Sequence, residues 1–177
     1  MAVKTRDRIL DALEALLLER GVQQVTLEAV AAAAGVSKGG LLYHFNTKDA
    51  LLAGMVRRLG ERADRQLAEA VEQGASVAEW YLAPGDFDEA REAALFRSML
   101  AVMRSVDAPD SEVQQALVEV MRSWDSGLQR EIADPVQAEI VRLVGDGIYL
   151  AALLGLPQTD AALHRQVVQR LLGRSSP

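Results

Sequence analysis

Residues 26–49, TLEAVAAAAGVSKGGLLYHFNTKD, decide the fold of this chain. They read as two short helices joined by a tight turn. Thr26 stands where a hydroxyl caps a helix, and Leu27, Val30, Ala31 and Ala34 give that helix one apolar face. Gly35 makes the turn and Ser37 caps the second helix. Leu41 and Phe45, four residues apart, face inward as a pair that packs on the preceding helices. Gly39, Gly40 and Tyr43 then project outward, flanked by Leu42 and His44. Two glycines in a first turn cost about 1 kcal/mol each relative to alanine. A helix that enters the DNA major groove benefits from them, because a bare backbone approaches the bases closely. Thr26, Ser37 and the free amides of the two helix starts suit phosphate oxygens. Lys38 and Lys48 supply charge, and Tyr43 and His44 can donate to phosphates or touch base edges. Any of these residues alone is equally a loop glycine or a surface aromatic; their order points to a helix-turn-helix.

Outward from this stretch the apolar spacing stays helical, with no alternating run that reads as a strand. Upstream, Ile9, Leu10, Leu13, Leu16 and Leu17 form one stripe, and Gly21 ends that helix. Downstream, Asn46 or Thr47 starts a helix from Lys48 to about Gln73, roughly 39 Å long at 1.5 Å per residue. Its buried side is Leu52, Met55, Val56, Leu59, Ala63, Leu67 and Ala70. Further helices are expected from Ser76 to Pro84-Gly85, over 88–106, 110–132 and 135–154, and from Asp160 to Leu172. The tail Gly-Arg-Ser-Ser-Pro reads as frayed.

The bulk composition fits a soluble protein. Of 177 residues half are hydrophobic, a quarter charged and none is cysteine, which excludes disulfides and thiolate metal sites. No secretory signal and no apolar run of bilayer length is visible, so a cytoplasmic location without membrane contact is expected. The net charge of −6 is unevenly spread: residues 1–60 carry +2 and the remainder −8. A mildly basic head on an acidic body suits a protein that touches phosphates with one end only.

From about Arg6 to Met55, including VTLEAVAAAAGVSKGGLLYHFNTKDALL, the sequence resembles the TetR family of bacterial transcriptional regulators. The resemblance implies an all-α homodimer with about nine helices per chain: a three-helix helix-turn-helix domain over 1–47, and a helical ligand-binding and dimerisation domain over 48–177. It places the DNA contacts on Thr26, Ser37, Lys38, Gly39, Gly40, Tyr43, His44 and Lys48. Leu42 departs from the pattern, since the family commonly has tyrosine there.

In the body, Trp80, Tyr81, Phe87, Phe96, Trp124 and Tyr149 are the aromatics. Phe96, Met99 and Met103 share a stripe. Trp80, Tyr81, Phe96, Met99, Met103, Trp124 and Tyr149 are candidates to line an apolar effector cavity, although each is as readily an ordinary core residue. Arg104, Asp125 and Asp146 are candidate polar anchors, and a local Arg142–Asp146 pair explains the last equally. Residues 147–156, GIYLAALLGL, are apolar on every side and must be buried all round. A second copy of the chain would complete that burial, with Gly145, Gly147, Ala151 and Ala152 allowing close contact. Leu163, Val167, Val168, Leu171 and Leu172 offer a further surface. A two-fold bundle of the last two helices follows, and it would space two heads for adjacent half-sites.

The expected function is a repressor released from a double-stranded operator by a small, largely apolar effector. No cofactor or metal is expected. The competing readings are an enzyme and a helical carrier or adaptor without DNA binding. The enzyme has little material, because His44 and His164 are the only histidines and no phosphate loop follows a strand.

Overall fold

The computed structural model describes residues 2–83, 111–157 and 159–173. Among these residues every regular element is helical. The α-helices are α1 (Ala2–Arg20), α2 (Leu27–Ala33), α3 (Lys38–His44), α4 (Lys48–Glu72), α5 (Val77–Tyr81), α6 (Glu112–Glu131), α7 (Pro135–Leu153) and α8 (Ala161–Leu171), with a 3-10 turn at Val22–Gln24. The all-α expectation holds. The helix expected over 88–106 lies outside the described residues, and so do Phe87, Phe96, Met99, Met103 and Arg104.

Helix starts follow the short polar side chains. Thr26, Ser37, Thr47 and Ser111 each turn a hydroxyl oxygen onto the amide three residues ahead, at 2.9–3.1 Å. Carboxylates cap α7 and α8: Asp134 accepts from the Val136 amide, and Asp160 from the Ala162 and Leu163 amides. Each cap satisfies an amide that the helix itself leaves without a partner, and losing one costs about 1 kcal/mol. The five-residue α5 is too short to persist alone. Ser76 and Glu79 form a reciprocal capping box at its start. The Glu131 carboxylate also accepts from the Val77 and Ala78 amides, at 2.6 and 3.1 Å.

The described residues form two compact units, with the division falling inside α4 and α6. The first comprises residues up to 61 together with 111–120. Its core takes Ile9, Leu10, Leu13 and Leu17 from α1, Val30 and Ala31 from α2, Leu41 from α3 and Leu51, Met55 and Leu59 from α4, all at most 3% exposed. Val113 and Ala116 of α6 belong to the same cluster. The boundary expected at 47/48 therefore marks where α4 begins, while the packing continues through it. Glycine lets the elements close up: a Cβ on Gly54 would lie 2.6 Å from the Phe45 ring, and one on Gly60 2.5 Å from Val120. Charge adds ties. Arg58 pairs with Asp11, lies 3.5 Å from the buried Glu14 and donates to the Asp7 carbonyl, which holds α4 on α1. Asp49 accepts from the first amide of α6 at 2.6 Å.

The second unit comprises residues 62–83 and 121–173. Ala78, Leu82, Leu128 and Val141 are its buried centre, with Val77, Tyr81, Ile132, Val144, Ile148, Val168, Leu171 and Leu172 packed around them. His164 donates a ring N–H to the Leu82 carbonyl at 2.9 Å, and Gln137 donates to the Leu171 carbonyl.

Candidate nucleic-acid interface and effector region

The local logic of residues 26–49 is realised. Gly35 turns the chain with φ +62°, a region where a side chain would be strained. Leu41 and Phe45 are buried, as an inward pair must be, and Gly54 gives the Phe45 ring its seat. With those two anchored, the opposite side of α3 faces out: Tyr43 is 83% exposed, and Gly39 meets nothing within 4 Å of where a Cβ would stand. Gly40 behaves differently. It is half-buried, and a Cβ there would come within 3.2 Å of the Ser37 hydroxyl that caps the helix. The bare contact surface is therefore Gly39 more than Gly40.

Thr26 and Ser37 accept from backbone amides, so each hydroxyl retains its proton to donate to a phosphate oxygen. Tyr43 and His44 stack edge to face with ring centroids 5.2 Å apart. Leu42 is exposed beside them, while His44 and Lys48 are half-buried. A polar hollow of about 420 Å³ opens under the end of α3, between Arg6, residues 42–46, Ala50, Gly54, Arg57 and Glu112. Lys38 is engaged: its Nζ lies 2.7 Å from Glu28 of α2, and this pairing holds the Glu28 carboxyl below the usual range.

Three participants escaped the sequence reading. Arg8 of α1 donates to the Ala34 and Gly35 carbonyls at 2.6 and 3.3 Å, closing the C-terminal end of α2 and fixing the turn. Arg6 lies over the Phe45 ring, 5.5 Å from its centroid. Glu28 faces Lys38 across the turn. Only Glu28 carried a sequence signal. An acid in a helix's first turn suits the macrodipole, but this says nothing of a cation ten residues later.

In the second unit four of the seven effector candidates are described. Trp80 and Trp124 meet edge to face at 6.0 Å, and the Trp124 indole donates to Asp64 at 3.0 Å. Tyr81 donates its hydroxyl to Asp146 at 2.6 Å, and burial together with that carboxylate pushes the phenol well above its ordinary range. Tyr149 is half-buried on α7. Trp80, Tyr81 and Trp124 are thus tied into polar and aromatic contacts within one unit. Phe96, Met99 and Met103 lie outside the described residues.

The expected Arg142–Asp146 pair is present at 2.8 Å and is part of a larger set. Arg142 also reaches Glu139 at 2.5 Å and Asp125 at 3.9 Å. Asp125 is raised by burial despite that guanidinium. Carboxylates outnumber the one arginine here.

On α7, α8 and the segment between them a second surface emerges. Val136, Leu143, Leu154, Leu156 and Leu163 are each more than half exposed, with Ile140, Leu150 and Val167 beside them in the 37–48% range. The apolar segment 147–156 is thus left uncovered on one side. Two expectations change in detail. Val168, Leu171 and Leu172 pack on the unit's own core, so the free face of α8 is narrower than its sequence suggests. Gly145 serves contact within the chain: a Cβ there would collide with the Tyr81 ring and stand 2.8 Å from its carbonyl oxygen. Gly147 remains open.

Comparison with known proteins follows the same division. A family model for bacterial regulatory proteins of the tetR family matches residues 9–55, and one for the tetracyclin repressor-like C-terminal domain matches 75–176. The HTH-type transcriptional regulator TtgR of Pseudomonas putida is 39% identical over 71 residues, covering 40% of this chain and 33% of TtgR. The HTH-type transcriptional repressor BepR of Brucella suis biovar 1 is 49% identical over 47 residues, 27% of this chain and 22% of BepR. The matched part thus spans a third or less of these curated relatives' length. Solved structures match nearly end to end. SCO7518 from Streptomyces coelicolor A3(2) superposes with a TM-score of 0.77 at 23% identity, over 95% of this chain and 98% of that one, a likeness of fold. The multidrug binding protein EbrR complexed with ethidium gives a TM-score of 0.71 at 26% identity, over 94% and 98% of the two chains.

Proposed function

The chain belongs to the TetR family of bacterial regulatory proteins, and on that footing we propose that it is a sequence-specific transcriptional regulator, a repressor that a small, largely apolar effector releases from a double-stranded DNA operator. One observation carries the reading: the outward side of α3 is bare at Gly39 and aromatic at Tyr43, while Leu41 and Phe45 hold the helix from behind. A surface so poor in side chains is of little use for packing, and it suits an approach to base edges. Residues 1–47 read the DNA, and 48–177 bind the effector and the second subunit.

Support for the effector comes from EbrR, a multidrug binding protein whose structures hold ethidium and malachite green. BepR is a repressor, which favours that sign of regulation. The uncovered faces of α7 and α8 favour a homodimer. A cytoplasmic location without enzymatic activity follows from the role; among the described residues no helix is long and apolar enough to cross a membrane. To weaken operator binding 100-fold, the effector must prefer the non-binding state by about 2.7 kcal/mol. Burial of apolar ligand surface supplies that amount.

The test is a band shift of the full chain on the DNA upstream of its own coding sequence, over a range of salt, followed by titration with planar apolar compounds. Retarded operator that a compound releases is the expected result. A chain that retards no duplex at low ionic strength removes the reading.

A further inference from the structure

The reading face carries an acid as well as cations. Glu28 Oε1 lies 2.7 Å from Lys38 Nζ, joining the first turn of α2 to the first turn of α3, and both side chains are about 60% exposed (62% and 59%). Thr26, one of the hydroxyls facing phosphate, caps the helix two residues before Glu28. Other cations of the same unit are already matched, Arg57 by Glu119 and Arg58 by Asp11 and Glu14.

A lysine held by a carboxylate neutralises no phosphate and so releases no counterion from the DNA. To take a phosphate it must leave Glu28 facing the phosphate field alone. Every duplex imposes that cost. A base can offset it, because a carboxylate in the major groove accepts from the exocyclic amine of cytosine.

We infer that Glu28 is a specificity-determining residue: by holding Lys38 in an ion pair it withholds one cation from DNA of arbitrary sequence and so widens the gap between operator and non-operator affinity. The inference rests on the DNA-binding reading above.

The experiment uses the full chain as wild type, Glu28→Gln, Lys38→Ala and the double variant. Fluorescence anisotropy is read on a random-sequence duplex and on the upstream duplex across salt. Glu28→Gln is expected to bind the random duplex roughly two- to fivefold more tightly. Its plot of log affinity against log salt should be steeper by roughly 0.9, one phosphate contact. The upstream duplex should gain less. In the Lys38→Ala background, Glu28→Gln should change nothing further. An unchanged affinity and slope in Glu28→Gln overturns the inference. An equal gain with Lys38 absent also overturns it, since bulk charge would then explain the effect. Wild type binding neither duplex at low salt would instead bring down the DNA-binding reading itself.

Discussion

In the first unit Ile9, Leu10, Leu13, Leu41, Leu51 and Met55 have no solvent exposure, and its outward helix shows glycine and tyrosine beside a charge pair. In the second unit Leu82 and Val141 are as deeply buried, yet Val136, Leu143, Leu154, Leu156 and Leu163 on α7, α8 and the segment between them are more than half exposed. The first unit closes its core from its own helices, which leaves its surface free to be polar and bare. The second leaves a supply of leucine and valine to water. A folded chain keeps such a face when another surface covers it. The difference separates two kinds of surface: a closed unit whose outward face is polar and bare, and one that leaves an apolar face exposed, in keeping with the DNA-reading and self-associating roles proposed for them.

Substitutions sharpen that contrast. Leu13→Ala, in the closed core, should cost about 2–5 kcal/mol in urea unfolding, a large share of a small domain's stability. A cost below about 1 kcal/mol would mean that the first core is less complete than its burial indicates. Gly145→Ala should cost less, about 1–3 kcal/mol, because its methyl collides with the Tyr81 ring and carbonyl and only part of that can relax. Thermal unfolding checks it; an unchanged midpoint would show α5 free to move off α7. Leu143→Asp should leave the stability of a single chain within about 0.5 kcal/mol, as exposed substitutions do, and yet halve the mass in sedimentation at micromolar concentration. If the mass stays that of two chains, the dimer lies elsewhere.

Much of the first unit was legible because its signals are local. Thr26, Gly35, Ser37 and the Leu41–Phe45 spacing lie within a short stretch of chain, and each acts on neighbours a few positions away. The starts of α4 at Asn46 or Thr47 and of α8 at Asp160 were readable for the same reason. Illegible features join distant positions: Arg8 on the turn carbonyls, Glu28 with Lys38, Trp124 with Asp64 and Gly145 under Tyr81. Periodicity marks which face of a helix is apolar but not which partner covers it, so Gly145 read as a site for a second subunit. Gly39 and Gly40 show the limit at finest scale. The sequence treats them alike, and the Ser37 hydroxyl and Val36 beside Gly40 separate them.

That separation makes Gly39 the sharpest probe of the account. A valine there points into open space and lies outside the core, so the folded chain should melt within a few degrees of wild type. Measured by anisotropy on the upstream duplex, Gly39→Val is predicted to lose operator binding while its helicity and mass stay intact. Operator affinity equal to wild type in that folded variant would contradict the claim that this side of α3 meets the bases.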